Sequence, residues 1–486
     1  MKKQIAKLRG FIWHNRLLFS LVATSLVAGA AFLNQHLYGL IFVSFLPFIY
    51  ALEELKKYSV RSLLKMFYFS GYIFALMVLI LILQPADSTW TQSQGAAAVY
   101  IKIFAWLISA AVFALGSVVT GYLCYTFRNR TERLRWLLLL ILPLSELIRT
   151  WLFAVYSYGP GGSLSPNFNL GTIGLPAAAS PLVFLSRFGG LYGLSLLVIL
   201  INLLIYKMLT WRYHVAMAIL VPVVALNILA YYIYQPGTRS LRVAAVHLNE
   251  DETLEKWPNI PYPEPGTNLL ALPEYSVFLK GDLAKKSTSL GNNTTVITSV
   301  EAGSKPHTNA LTYFNKNSQI INQQDKTYLI PSGEYIPYFY EWTLRLLKMD
   351  AVVTNFNSNL QVKKGTTPER VVNVDGYVYG ALACSGVVNL SQYTQLSGEG
   401  ADVLVNVASL SFLSSGSTYH IQEKYFARFH AVSNARPFVQ ASRSGQSYII
   451  DSNGTVQAYT SGKTAIIQGR VSLVDRRTLH TLLRIL

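Results

Sequence analysis

The chain has 486 residues, a formal net charge of +17 and a composition that is 51% hydrophobic, which leaves room for two or three domains. Its two cysteines cannot make a disulfide framework, and no stretch groups Cys and His at metal-ligand spacing. The basic excess would suit nucleic acid, but its placement along the chain points elsewhere.

From about Leu17 to Tyr234 the sequence is a series of apolar runs separated by short basic loops. Seven runs, near residues 15–33, 38–53, 66–84, 99–127, 136–156, 190–208 and 213–234, are long and apolar enough to read as membrane spans. Ala28-Gly29-Ala30-Ala31 would suit signal-peptide cleavage, yet six further spans favour a retained first helix. Lys2, Lys3, Lys7, Arg9 and Arg16 precede span one, and Lys56, Lys57, Arg61 and Lys65 follow span two. Arg128, Arg130, Arg133 and Arg135 follow span four, and Lys207 and Arg212 follow span six. The intervening loops carry almost no basic residue besides Arg187. This alternation is the positive-inside pattern of a chain whose N-terminus is cytoplasmic, so the charge no longer argues for nucleic acid. An odd number of spans places everything after Tyr234 on the outer face.

Inside span five, Glu146 and Arg149 share one helical face. Charges at that depth pair with each other or face a cavity, so a structural clamp and a headgroup contact are both open. The loop from Ser157 to Gly190 is long, rich in Gly and Pro, and uncharged apart from Arg187; it is expected to pack on the outer leaflet or on the domain above.

After Arg239 the sequence reads as an α/β domain. Strand-like runs occur at Leu241–Leu248, Leu269–Leu272, Thr294–Ser299, Ala310–Phe314, Tyr377–Ala383, Val403–Val407 and Phe438–Ser442. Ser447–Ile450 and Thr455–Tyr459 flank Asp451-Ser-Asn-Gly454, a hairpin signal. A helical pattern runs from Ser417 to Ala435 and stops before Pro437. The aromatic stretch Tyr338–Met349 suits an interfacial helix or lid as well as it suits a core helix. The expected division is a membrane part over residues 1–236, an outer domain over 240–470, and a tail over 471–486 too short and basic for an eighth span.

Three polar residues sit where chemistry would need them. Cys384 ends the run Gly380-Ala-Leu-Ala-Cys384 and is followed by Ser385-Gly386. Glu274 follows a strand in Leu272-Pro273-Glu274-Tyr275, and Lys326 opens the run Lys326-Thr-Tyr-Leu-Ile-Pro331-Ser-Gly-Glu334-Tyr-Ile-Pro337. Cys124, within an apolar segment, reads as a small buried hydrophobe.

The order Glu274, Lys326, Cys384 and the Lys-to-Gly-Glu-Tyr run resemble the carbon–nitrogen hydrolase (nitrilase) superfamily, and within it the membrane-embedded apolipoprotein N-acyltransferase family. Further matches are Glu146-Leu-Ile-Arg149-Thr-Trp151, Gly190-Leu-Tyr-Gly-Leu-Ser195, Leu254-Glu-Lys-Trp257, Gly400-Ala-Asp-Val-Leu-Val-Asn406, and Ala427-Arg428 through Asn434-Ala-Arg-Pro437 to Ser447. The resemblance implies a polytopic helical membrane domain carrying a nitrilase-like αββα sandwich on the outer face of a bacterial cytoplasmic membrane. It implies catalysis by Glu274, Lys326 and Cys384, with Glu334, Trp257, Glu146 and Arg149 supporting the site or binding substrate. It implies a phospholipid acyl donor, a diacylglyceryl lipoprotein acceptor, and no metal or cofactor. A nitrilase-type amidase or other acyltransferase on the same triad, and a non-catalytic lipid- or lipoprotein-binding relative, are the alternatives. The family's Tyr-Glu after the nucleophile is Ser385-Gly386 here, and its Asn-Asp-Ala-Trp-Phe-Gly run is Ser409–Ser414.

Overall fold

A computed structural model describes residues 15–84, 96–249, 263–275 and 294–484, apart from 304, 316, 318, 414 and 415. Among these residues, seven helical runs are long and apolar enough to cross a membrane. They comprise α1 (Arg16–Leu33), a run over Gln35–Lys57 that contains α2 (Leu46–Ala51), α3 (Val60–Val78) with a 3₁₀ extension to Leu83, α4 (Ala96–Phe127), α5 (Thr131–Tyr156), α6 (Ser186–Leu209) and α7 (Tyr213–Ile233). The chain is a multi-pass membrane protein.

The second run departs from the smooth helix expected: 3₁₀ turns over Gln35–Phe42 and Leu52–Lys57 flank α2, and Pro47 in its first turn lacks the N–H an unbroken helix would need. The sixth span begins earlier than expected, through 3₁₀ turns from Pro181 and then α6, which breaks at Gly190 (φ +62); only a residue without Cβ adopts that conformation cheaply. Helices approach closely where side chains are small. A Cβ on Gly71 would meet Ser117 Oγ at 2.1 Å, and one on Gly116 would meet Arg149 Cβ at 2.7 Å.

The domain after Arg239 is built on strands β1 (Ser240–Leu248), β2 (Leu269–Ala271), β3 (Thr295–Ala302), β4 (Thr308–Phe314), β5 (Ile320–Asp325), β6 (Val372–Val374), β7 (Tyr377–Ala383), β8 (Val403–Ser409), β9 (Phe438–Arg443), β10 (Gln446–Ile450), β11 (Val456–Ser461) and β12 (Ala465–Ser472). Their order is β5-β4-β3-β2-β1-β9-β8-β7-β6, with β12 on β1 and the β10–β11 hairpin on β9. Neighbours from β3 through β1 and β9 to β7 are parallel, and antiparallel strands finish the sheet. In β1, Leu241, Val243 and Ala245 point to one face and Ala244, Val246 and Leu248 to the other, the period-two alternation of a strand. The first set packs against Ala381 of β7, Val405 of β8 and Val439 of β9, so the two halves of this nearly closed mixed sheet face each other.

Helices α10 (Leu390–Gly398) and α11 (Tyr419–Ser433) cover the β7–β9 half, while α8 (Tyr338–Leu346) and α9 (Asp350–Asn359) project between β5 and β6. A short α12 (Leu479–Leu483) ends the described chain; Thr478 Oγ1 donates to Ser433 O at 2.7 Å, and His480 is buried against Thr394.

One apolar cluster runs from Phe32, Val78 and Leu191 of the membrane helices into Phe426 and Phe429 of α11. Arg187, fully buried, pins that junction. Its guanidinium donates to the carbonyls of Val432 (3.1 Å), Ala230 (2.8 Å) and Ser452 (2.8 Å) and to Asn453 Oδ1 (3.0 Å). Buried donors need partners, and here they tie α6 and α7 to the α/β domain. The Ser157–Gly190 loop also packs on that domain: Tyr335 donates its hydroxyl to Ser157 O at 2.8 Å, and Tyr338 its N–H to Tyr158 O at 2.9 Å.

Candidate functional site

Strand direction brings the candidate residues together. β4 runs against β3 and β5 against β4, so β5 points the same way as β2 and β3, and β7 and β8 join through parallel β9 and β1. Glu274 lies just past the end of β2, Lys326 follows β5 directly, and Cys384 follows β7 directly. The carboxyl ends of parallel strands are where chain leaves the hydrogen-bonded ladder and side chains are free to converge.

Glu274 Oε1 accepts from Asn309 Nδ2 at 2.5 Å and faces Lys326 Nζ at 3.7 Å; its Oε2 accepts the backbone N–H of Ser409 at 3.0 Å. Lys326 Nζ donates to Glu334 Oε1 at 2.8 Å, and Glu334 Oε2 accepts the N–H of Ile330 at 2.8 Å. Cys384 directs its thiol toward Ser409 O at 3.8 Å and lies near enough for the Glu274 carboxylate and the Lys326 ammonium to act on it electrostatically. All of this is out of water: Glu274 and Lys326 are 2% exposed and Cys384 4%. Glu274, Lys326, Glu334 and Cys384 thus form one cluster. Trp257 lies outside the described residues.

Burial raises the Glu274 carboxyl above the usual carboxylate range, with Lys326 opposing the rise. Burial works against the charge of Lys326, but Glu334, then Glu274 and Cys384, outweigh it and its pKa rises. The Cys384 thiol is pushed well above its ordinary value, first by burial and then by Glu274, with Lys326 again opposing. The ammonium is therefore a fixed charge, and the thiol keeps its proton until something takes it.

Cys384 packs among Leu410, Leu413, Ile330, Phe412 and Tyr419. Those five residues and Ser385 line a cavity of about 170 Å³ that Leu79, Leu81, Ile82, Ala105 and Phe153 of the membrane helices also line. Ser332 and Tyr340 are shared with an apolar groove of about 580 Å³ between the start of α4 and the pair α8–α9. Helix α8 has no buried residue and exposes Trp342 and Leu346, which suits the interfacial alternative and not the core helix. The loop that replaces the family's Asn-Asp-Ala-Trp-Phe-Gly run thus contributes a backbone donor to Glu274 and three apolar wall residues.

Glu146 and Arg149 do not line this cavity. Glu146 Oε1 accepts the N–H of Ile173 at 2.5 Å; Arg149 donates to Gly171 O and Thr172 Oγ1, each at 3.1 Å, and lies over the Phe113 ring. They hold the loop that carries Phe168 and Leu170 into the cavity wall. Asn309, which orients Glu274, was not legible in the sequence, because its approach is set by strand pairing: Lys326 N–H donates to Asn309 O at 2.8 Å beside the β4–β5 ladder. Among the described residues, no group of three or more His, Cys, Asp or Glu could hold a metal ion.

Residues 260–481 match the carbon–nitrogen hydrolase family model. An apolipoprotein N-acyltransferase of Geobacter metallireducens is 23% identical over 341 residues, 62% of this chain and 63% of that protein. One of Brucella melitensis is 26% identical over 158 residues, 32% of this chain and 28% of that protein. The chain therefore spans less than two thirds of the length of either relative. A solved carbon–nitrogen hydrolase of Helicobacter pylori G27 superposes on 48% of this chain and 90% of its own, with 15% identity and a TM-score of 0.35. Residues 260–481 thus carry a carbon–nitrogen hydrolase domain, and over about three fifths of its length the chain is similar to apolipoprotein N-acyltransferases.

Proposed function

We propose that this protein is an N-acyltransferase that carries a phospholipid acyl chain on Cys384 to the N-terminal amine of a diacylglyceryl-cysteine lipoprotein, on the outer face of the bacterial cytoplasmic membrane. Glu274 takes the thiol proton as the sulfur attacks the ester carbonyl, and Lys326 and the N–H of Ser385 receive the charge that develops on the carbonyl oxygen. Collapse of the tetrahedral adduct forms a thioester and expels the lysophospholipid alkoxide, which regains the proton from Glu274. The lipoprotein amine then attacks the thioester, Glu274 takes its proton, and Cys384 leaves as sulfide and is reprotonated. Glu334 holds the ammonium of Lys326 in place.

The observation that carries this reading is the setting of Cys384: it sits against a carboxylate–ammonium pair and beside an apolar cavity walled partly by membrane helices. A water-soluble substrate does not call for that wall. The test is intact-protein mass spectrometry after incubation with phosphatidylethanolamine of defined chains. One acyl group should be gained on the unaltered chain and lost with Cys384→Ala or on treatment with hydroxylamine. No adduct on the unaltered chain rejects the proposal.

A further inference from the structure

The Cys384 backbone is held from behind by a buried amide. Asn406, fully buried in β8, stands opposite Gln440 of β9 in register. Its Nδ2 donates to the carbonyl oxygen of Cys384 at 3.3 Å and to Gln440 Oε1 at 3.0 Å, and its Oδ1 lies 3.3 Å from the Tyr393 hydroxyl, which donates at shorter range, 2.9 Å, to Val405 O. Gln440 is fixed in turn by donating Nε2 to Gln446 O at 3.0 Å. Both close partners of the amide, Cys384 O and Gln440 Oε1, are acceptors, so its nitrogen has to face them.

What this amide grips is an unusual backbone. Cys384 has φ +47, a left-handed conformation that a side-chain-bearing residue keeps only when its surroundings enforce it. The following peptide unit is planar and trans, so its C=O and N–H point opposite ways. Drawing the Cys384 carbonyl toward β8 turns the Ser385 N–H away from β8, and Ser385 is one of the residues that line the apolar cavity. Ser385 stands at the head of the 3₁₀ turn Cys384–Val388, where the N–H has no intrahelical partner. Its hydroxyl donates to Tyr328 O at 2.9 Å, which holds the residue from its other end.

We infer that Asn406 is a positioning residue for acyl transfer: by holding the Cys384 carbonyl it aims the Ser385 N–H at the oxyanion formed during thioester formation. The inference rests on the reading of Cys384 as nucleophile, and the experiment separates the two. The full chain in detergent micelles is given p-nitrophenyl decanoate, whose attack by the Cys384 sulfur passes through an oxyanion and releases p-nitrophenolate as the thioester forms. In parallel it is given iodoacetamide, which the same sulfur attacks at a saturated carbon, displacing iodide with no oxyanion. Asn406→Ala and Asn406→Asp should slow the p-nitrophenolate burst at least tenfold, toward the factor of about 10²–10³ that loss of one oxyanion donor costs, with iodoacetamide alkylation of Cys384 unchanged. Equal losses in both reactions, or an unaltered burst, overturn the inference. No burst from the unaltered chain overturns the nucleophile reading itself, and the inference with it. Should the Asn406 variants fail to fold, Gln440→Met leaves Asn406 in place but frees its amide, and a selective loss of burst rate is again required.

Discussion

Glu423 of α11 offers the sharpest test of the energetics. Its side chain is fully buried and neither carboxylate oxygen has a hydrogen-bond partner at normal geometry, with Gln440 near enough only to soften the cost. His420 Nδ1 is 4.0 Å away, and Tyr419, Tyr448 and Tyr393 surround it. Burial pushes the carboxyl from 4.5 up to about 8, so the folded chain keeps a proton that the unfolded chain gives up. The stabilisation that proton represents is whole below the unfolded value and drains away as pH climbs through the folded one. At about 1.4 kcal/mol per unit, the loss by about pH 7 relative to acid is on the order of 3 kcal/mol. Glu423→Gln keeps the shape and cannot ionise. Thermal unfolding in detergent, followed from about pH 5 to about pH 8, should show the unaltered chain losing several degrees relative to the variant, in line with a shift of a few kcal/mol. Parallel curves for the two chains would refute the reasoning.

Lys326→Met removes the one charge that opposes the rise of both Glu274 and Cys384; a raised Glu274 must lose its proton to act as base, so acylation increases with pH, and a rate–pH profile should show this limb moved to higher pH along with a large rate loss. Arg187→Met strands the carbonyls of Val432, Ala230 and Ser452; at about 1–3 kcal/mol per buried unpaired group, unfolding monitored by tryptophan fluorescence should show a drop of several kcal/mol, and an unchanged melting temperature would deny Arg187 its role at the junction. Leu413→Trp fills part of the cavity beside Cys384; decanoyl transfer to the sulfur should fall far more than acetyl transfer from p-nitrophenyl acetate, and equal losses would mean that the tail does not occupy this space.

Much of the α/β domain was legible because its inner strands are apolar on both faces. Tyr377–Ala383 is the predicted strand without a shift, and Leu241–Leu248, Val403–Val407 and Phe438–Ser442 changed only at their ends. β5 was missed for the opposite reason: it lies at the sheet edge, alternates exposed and half-buried residues, and reads as Ile-Ile-Asn-Gln-Gln-Asp, which has no apolar face. β12 was missed because it pairs only with β1 at the margin, with few buried positions. In the membrane half, apolar length located the spans, whereas the 3₁₀ turns of the second run and the early start of the sixth depend on local breakers and on packing. The motif residues Glu274, Lys326, Glu334 and Cys384 could be named from the chain. That Glu334 is nearer Lys326 than Glu274 is, and that Asn309 and the Ser409 N–H orient the base, follow from strand register, which no linear pattern displays.

A thiol this deeply buried creates a problem that the rest of the site resolves. Most reactive cysteines ionise in advance, beside a cation or a helix terminus exposed to water. Cys384 cannot: burial and the neighbouring Glu274 both disfavour a sulfide, and Lys326, the nearest positive charge to the site, is already shared between two carboxylates. A resting sulfide would add a further negative charge to a pocket without water to screen it. In the proposed reaction the proton therefore moves from sulfur to Glu274 as the carbonyl carbon accepts the sulfur's electrons, when negative charge passes on to an oxygen facing Lys326 and the Ser385 N–H. Such a site reacts slowly with water-borne electrophiles such as iodoacetamide and is fastest when an ester occupies the apolar cavity. The same burial that makes the nucleophile weak at rest makes each fixed dipole around the oxyanion stronger, which is why the orientation of one peptide unit behind Cys384 carries so much of the predicted rate.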